Sequence, residues 1–203
     1  MTHADPTKPS VSVVVPALDE PYLETLKSML HRILGLYCYE YEIIVRDDPG
    51  CGNAILNGIR VSKHDIVAVM DGDGSHDPVD VPYMVSWLNE DGLDVVYGRK
   101  WRSDDTWYRK LVTLGFDYLT RILLWRNQPD LMSGFFVFRK SRVTLPETID
   151  HPKVLMRIVR DSKDIKLKFV PIRFHARVGG ESKLGSPSVA HRIVCDLVRR
   201  NSV

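Results

Sequence analysis

Residues 70–78 read MDGDGSHDP and follow the apolar run IVAV at 66–69. Asp71 and Asp73 stand one glycine apart, and paired carboxylates at that spacing suit a hard divalent cation, with Gly72 letting the backbone bend close around it. Magnesium keeps several waters and is usually shared with substrate phosphates, so two protein carboxylates suffice. The same letters also suit a plain turn, with Asp77 or Ser75 capping the helix that follows. Taken alone, the segment supports both readings.

A pair of acids acts on a ligand only where the fold opens a cleft. Residues 10–15 read as a buried strand ended by Pro16, after which Leu23, Leu26, Leu30, Ile33 and Leu34 recur at helical spacing. Residues 41–45 form a second strand, Asp47-Asp48-Pro49-Gly50 a turn, and residues 53–61 a helix. Residues 66–70 form a third strand, which the acidic segment ends. Pro78 and Asp80 open a helix reaching about residue 88, and a fourth strand at 93–97 ends at Gly98-Arg99. Alternation of this kind predicts an α/β fold, a Rossmann-like, mostly parallel sheet with helices on both faces.

Ligands of open parallel sheets collect outside the carboxyl ends of the strands. Pro16 to Glu20, Asp47-Asp48 and Asp71-Gly72-Asp73 therefore belong on one edge and can line one pocket. The second half is less regular: a long helix over 106–125, a strand at 134–138, a helix after Pro152, a strand at 166–170, a Gly-rich loop at 178–185 and a last helix at 187–200.

With 203 residues the chain is long enough for one domain with a substantial core, expected over 10–203 after a polar, proline-bearing and disordered segment at 1–9. Apolar residues make up 44% and charged residues 27%, which argues against a disordered or membrane-embedded body. A formal charge of +2 gives no basis for a nucleic-acid partner. Cys38, Cys51 and Cys195 are odd in number and lack metal-site spacing, which fits a reducing, cytoplasmic setting. The amino-terminal residues do not resemble a signal peptide, and no apolar run reaches the length of a bilayer crossing. Any membrane contact is expected to be peripheral.

VSVVVPALDE, the Asp-Asp after YEIIVR, DIVAVMDGDGSHDP, YGRK, DLMSGFFVFRKS and RVGGESKLG occur in the order seen in family-two glycosyltransferases of the GT-A fold. The set, spanning about residues 10–186, most resembles the polyprenyl-phosphate (dolichyl-phosphate) mannose synthases. The resemblance implies a compact GT-A domain that moves a hexose, mannose first and glucose second, from a nucleotide-diphosphate sugar (GDP-mannose or UDP-glucose) to a polyprenyl phosphate. It further implies that Pro16, Leu18 and Glu20 contact the nucleobase and ribose, with Val45 and Asp47 or Asp48 beside them. Asp71 and Asp73, flanking Gly72, would bind Mg2+ or Mn2+ bridging the donor diphosphate, with Ser75 as a further oxygen ligand. Arg99, Arg177 and Lys183 would be cationic donor contacts. Asp130 would lie on the acceptor side, as general base for a hydroxyl acceptor or as an orienting group for a phosphate acceptor that needs no base. A hydroxyl of a protein, glycan or modified nucleic acid as acceptor, and a non-catalytic nucleotide-sugar binding module, are the alternative readings.

The chain departs from this pattern after the second strand, where Asp48 leads within a few residues into GCGNAILNGI, as if one strand-helix excursion were deleted. Which of Asp47 and Asp48 corresponds to the nucleotide-binding acid therefore stays open at this stage. On the long helix Trp107, Leu111, Leu114, Tyr118, Ile122 and Trp125 form one stripe, suited to a core or, with Arg109, Arg121 and Arg126, to a lipid headgroup boundary.

Overall fold

The computed structural model describes residues 8–18, 20–100, 115, 118, 131–176 and 187–198. Its strands are β1 (Val11–Pro16), β2 (Tyr41–Arg46), β3 (Ile66–Val69), β4 (Val95–Lys100), β5 (Phe136–Arg139) and β6 (Leu167–Ile172). Its helices are α1 (Leu23–Tyr37), α2 (Cys51–Val61), α3 (Asp80–Glu90), α4 (Val154–Asp161) and α5 (Pro187–Val198). Among the described residues the strands make one sheet in the order β2-β1-β3-β5-β4-β6.

β1 reads VSVVVP and is buried up to Pro16, as β-branched residues packed on both faces of a central strand should be. Val11, Val13 and Val15 pack with Leu26, Leu30 and Leu34 of α1 and Met84 and Leu88 of α3. Val14 points into the opposite layer, with Ile55, Leu56 and Ile59 of α2 and Leu155, Met156 and Val159 of α4. The sheet is thus covered on both faces. Buried Ser12 is satisfied by donating to Glu42 Oε1 at 2.6 Å and accepting from the His64 amide at 3.1 Å.

β1 pairs in parallel with β2 and β3, and β4 with β6, whereas β5 runs against both β3 and β4. Five strands therefore end on one edge, and β5 begins there. The sequence pattern located β5 without indicating its direction.

Boundaries moved where tertiary pairing extends an element. β4 continues past Gly98-Arg99 because β6 pairs with it as far as Lys100↔Ile172. β6 in turn runs through Pro171, which an outermost strand tolerates because no neighbour needs the missing amide there. Cys38, Cys51 and Cys195 form no disulfide among the described residues, and burial pushes the Cys38 thiol up to about 11 against a weaker opposing influence of Lys8. No helix among the described residues is long and apolar enough to cross a membrane.

α2 lies against β1 at Gly58, where a Cβ would fall 2.4 Å from Val14 Cγ1. At Gly35 on exposed α1, an added Cβ would meet only Tyr41 Oη at 3.9 Å. Gly58→Ala should therefore lose about 1–2 kcal/mol of stability, since overpacking outweighs the gain in helix propensity. Gly35→Ala should gain up to about 1 kcal/mol. Urea denaturation midpoints measured in parallel check both signs.

Candidate active site

β3 ends at Val69, and the Met70 amide still donates to the Val14 carbonyl at 3.1 Å before the chain turns at Asp71. Gly74, with φ of 77°, allows the reversal. Asp73 is 3% exposed, and its Oδ1 accepts the Ser75 amide at 2.9 Å. The Ser75 carbonyl accepts the His175 amide at 2.9 Å, and His76 forms an antiparallel bridge with Phe174. Asp77 Oδ1 accepts the Val79 amide at 3.0 Å and so leads the chain into α3. Hydrogen bonds of the turn thus engage Asp77 Oδ1 and Asp73 Oδ1.

Asp71 also faces His76 and Gly134. Its Oδ2 lies 3.5 Å from His76 Nε2. Gly134 approaches it so closely that a Cβ there would stand 3.0 Å from the same oxygen. Gly134 reaches this edge because it precedes the reversed strand β5. The loop is held from two sides and braced within: Ser133 Oγ donates to the Gly98 carbonyl at 2.7 Å, Lys153 Nζ donates to the Met132 carbonyl at 2.7 Å, and the Phe135 amide donates to Ser133 Oγ at 3.2 Å. On the β1 side, a Cβ on Gly72 would meet Ala17 Cβ at 3.1 Å, Val15 Cγ1 at 3.3 Å and Glu20 Cγ at 3.6 Å. The 16–20 loop and the acidic turn are therefore in contact.

The residues singled out in the sequence divide into three groups. Pro16, Glu20 and Asp71 to Ser75 come together at the sheet edge, with Leu18 on the same loop and 55% exposed. Val45 is half-buried near the end of β2, and Asp47 is exposed just beyond it. Asp48 is clamped: Arg46 Nε and Nη2 donate to its two oxygens at 2.7 and 2.8 Å, and Asn57 Nδ2 donates to Oδ1 at 3.0 Å. The Arg46 and Asn57 hydrogen bonds pull its pKa to about 2. Arg99 is exposed on β4, with its guanidinium 5.5 Å over the Phe169 ring of β6. Asp130, Arg177 and Lys183 lie outside the described residues. So does the stripe of the long helix apart from Tyr118, which is helical and 70% exposed.

Four residues that sequence reasoning passed over help build this edge: His76, Ser133, Gly134 and Lys153. His76, Ser133 and Gly134 sit inside segments already singled out for their neighbours. Lys153 carried no signal, since its task is to hold a carbonyl distant in sequence.

A cation at this turn would meet oxygen donors. Ser75 Oγ is fully buried with no hydrogen-bond partner among the described residues, and the missing side chain at Gly134 lets the Asp71 carboxylate sit close to that backbone. Among the described residues no three His, Cys, Asp or Glu side chains are grouped to hold an ion unaided. The donor set fits Mg2+ or Mn2+ completing its shell with water and a ligand's phosphates.

Negative charge accumulates behind the turn. Burial, and then the neighbouring Asp77, raise the Asp80 carboxyl to about 6, against opposing influences of His76, His175 and Arg173.

The architecture is that of GT-A glycosyltransferases. Glucosyl-3-phosphoglycerate synthase from Mycobacterium tuberculosis, solved in complex with Mn2+, UDP-glucose and phosphoglyceric acid, superposes with a TM-score of 0.69 at 19% identity over 96% of this chain and 81% of that one. Residues 48–143 match Glycosyl transferase family 2, and the chain carries a domain of that family. Dolichol-phosphate mannosyltransferase of Pyrococcus furiosus is 30% identical over 217 residues, 88% of this chain and 60% of that protein. Dodecaprenyl-phosphate galacturonate synthase of Rhizobium johnstonii is 24% identical, over 93% of this chain and 65% of that protein. The chain thus spans about three fifths of the length of the curated relatives it matches.

Two outcomes follow from this geometry. Gly134→Ala should displace the Asp71 carboxylate and weaken Mn2+ binding while changing the melting temperature little, which isothermal titration and thermal melts distinguish. For Asp80, the folded-state pKa lies above the unfolded value of about 3.9, so the folded chain holds the extra proton between about pH 4 and 6. Stability should fall as pH rises through that window. Asp80→Asn should flatten the fall and add on the order of 1 kcal/mol at pH 7, after discounting for solvent screening, in urea titrations at several pH values.

Proposed function

We propose that the chain is a metal-dependent, inverting glycosyltransferase that moves a hexose from a nucleotide-diphosphate sugar to a polyprenyl phosphate. The observation that carries this reading is the contact of the Asp71-Gly72-Asp73 turn with the 16–20 loop at the edge where the parallel strands end. The names of the polyprenyl-phosphate relatives support the acceptor class. GDP-mannose is the first donor to test and UDP-glucose the second.

In this reading Pro16, Leu18, Glu20 and Val45 hold the nucleobase and ribose. Asp47 serves them better than Asp48, whose oxygens are engaged by Arg46 and Asn57. Asp71 and Asp73, with Ser75 Oγ as a further oxygen, hold Mg2+ or Mn2+, which when bound offsets charge on the departing diphosphate. Arg99, Arg177 and Lys183 add cationic donors for the same oxygens. Arg99 leaves its Phe169 ring at small cost, because an exposed cation–π contact is worth about 0.5–1 kcal/mol. A phosphate acceptor is already an anion, so Asp130 orients it without taking a proton. Exposed Tyr118, in a stretch of sequence that also carries Arg109, Arg121 and Arg126, fits a peripheral contact that brings a lipid acceptor to the site.

Radiolabelled nucleotide sugars incubated with polyprenyl phosphate in liposomes test the proposal. Transfer should require Mn2+ or Mg2+ and stop with EDTA. Asp73→Ala should lower the rate by about 10² or more, the usual effect of losing a group that stabilises transition-state charge. Asp130→Asn should cost less than about tenfold, whereas a hydroxyl acceptor would lose the 10²–10⁴ typical of a missing base. Transfer that persists in EDTA removes the metal role. Nucleotide binding without transfer to any acceptor favours a binding module.

A further inference from the structure

His76 is 4% exposed, and among the described residues neither of its ring nitrogens has a hydrogen-bond partner. Buried polar groups without partners are uncommon in folded proteins, and each calls for a reason. Packing alone does not supply one. The ring lies between Phe135, with centroids 4.9 Å apart, and Phe174, edge-on at 5.2 Å. A phenylalanine would fill such a slot without burying two nitrogens.

The placement of Nε2 supplies a reason. It stands 3.5 Å from Asp71 Oδ2, about half an ångström beyond a good hydrogen bond. The same oxygen lies close to Gly134, where a Cβ would stand 3.0 Å from it. Asp80 and His175 neighbour the same region. A backbone bridge to Phe174 holds the main chain of His76.

We infer that His76 is the positioning residue of the acidic turn: its Nε2–H closes on Asp71 Oδ2 when a divalent cation takes the carboxylate, fixing the orientation in which Asp71 binds. This rests on the metal reading of Asp71 and Asp73 proposed above. Carboxylate ligands are commonly held by such outer hydrogen bonds, whose removal lowers metal affinity about 10–100-fold.

Mn2+ binding to the full chain, followed by electron paramagnetic resonance of the free ion without nucleotide, tests the role apart from turnover. His76→Phe keeps the slot filled and removes the donor. It should weaken Mn2+ binding about 10–100-fold while the melting temperature in EDTA does not fall. His76→Gln, which can donate through its amide, should recover most of the affinity. In the wild-type protein labelled with 15N-histidine, Mg2+ should shift the Nε2 resonance of His76 more than Nδ1, a readout that needs no variant to fold. Wild-type affinity in His76→Phe, equal losses in the Phe and Gln variants, or an Nε2 resonance unmoved by saturating Mg2+ would each overturn the positioning role alone. A wild-type chain that binds neither ion overturns the metal reading and this inference with it.

Discussion

The approach of the Gly134 backbone to the Asp71 carboxylate is the constraint on which the rest of the site depends. It exists because β5 runs against its neighbours, so the loop before it arrives at the edge where the other strands stop. Had β5 been parallel, that loop would lie at the far end of the sheet and Asp71 would face a different wall. The approach also needs a rigid loop. Ser133 ties it to the end of β4 and Lys153 ties it to the start of α4, so two elements distant in sequence determine where one carboxylate oxygen can go.

Electrostatics gives this arrangement its direction. Asp71, Asp73, Asp77 and Asp80 fall within ten residues of chain. The turn satisfies part of that charge with the Ser75 and Val79 amides. Burial, and then the like charge of Asp77, raise Asp80 to about 6 and outweigh the nearby cationic groups. A fold that merely needed a turn here could use one such residue. In the metal-dependent reading proposed above, a divalent cation carried with a diphosphate would bring both positive charge and the oxygens to complete its shell.

Much of this was legible in the sequence. The alternation of buried β-branched runs with leucine-spaced helices established the layered sheet, and the position of Asp71 and Asp73 after a four-residue apolar strand placed them on its carboxyl edge. Pairing direction was not legible, because FVFR is buried on both faces and looks the same in either orientation. The extension of β4 through Gly98 was hidden too: glycine reads as a strand end, yet here it makes room for Ile172, whose Cδ1 would lie 2.4 Å from an added Cβ. His76 escaped notice because a histidine near acids reads as polar surface until the two phenylalanine rings around it are seen.

The short connection after β2 shows how the same edge is built with less chain. Only four residues separate Arg46 from the start of α2, and Gly50, with φ of 85°, makes the turn. Such a tight junction needs a clamp, and Asp48 provides it by joining Arg46 of β2 to Asn57 of α2. A carboxylate doing that work is fully ionised at neutral pH, and its lone pairs are already directed at its own chain. In the glycosyltransferase reading proposed above, nucleotide recognition at this corner is therefore assigned to the exposed Asp47 and to the loop after β1.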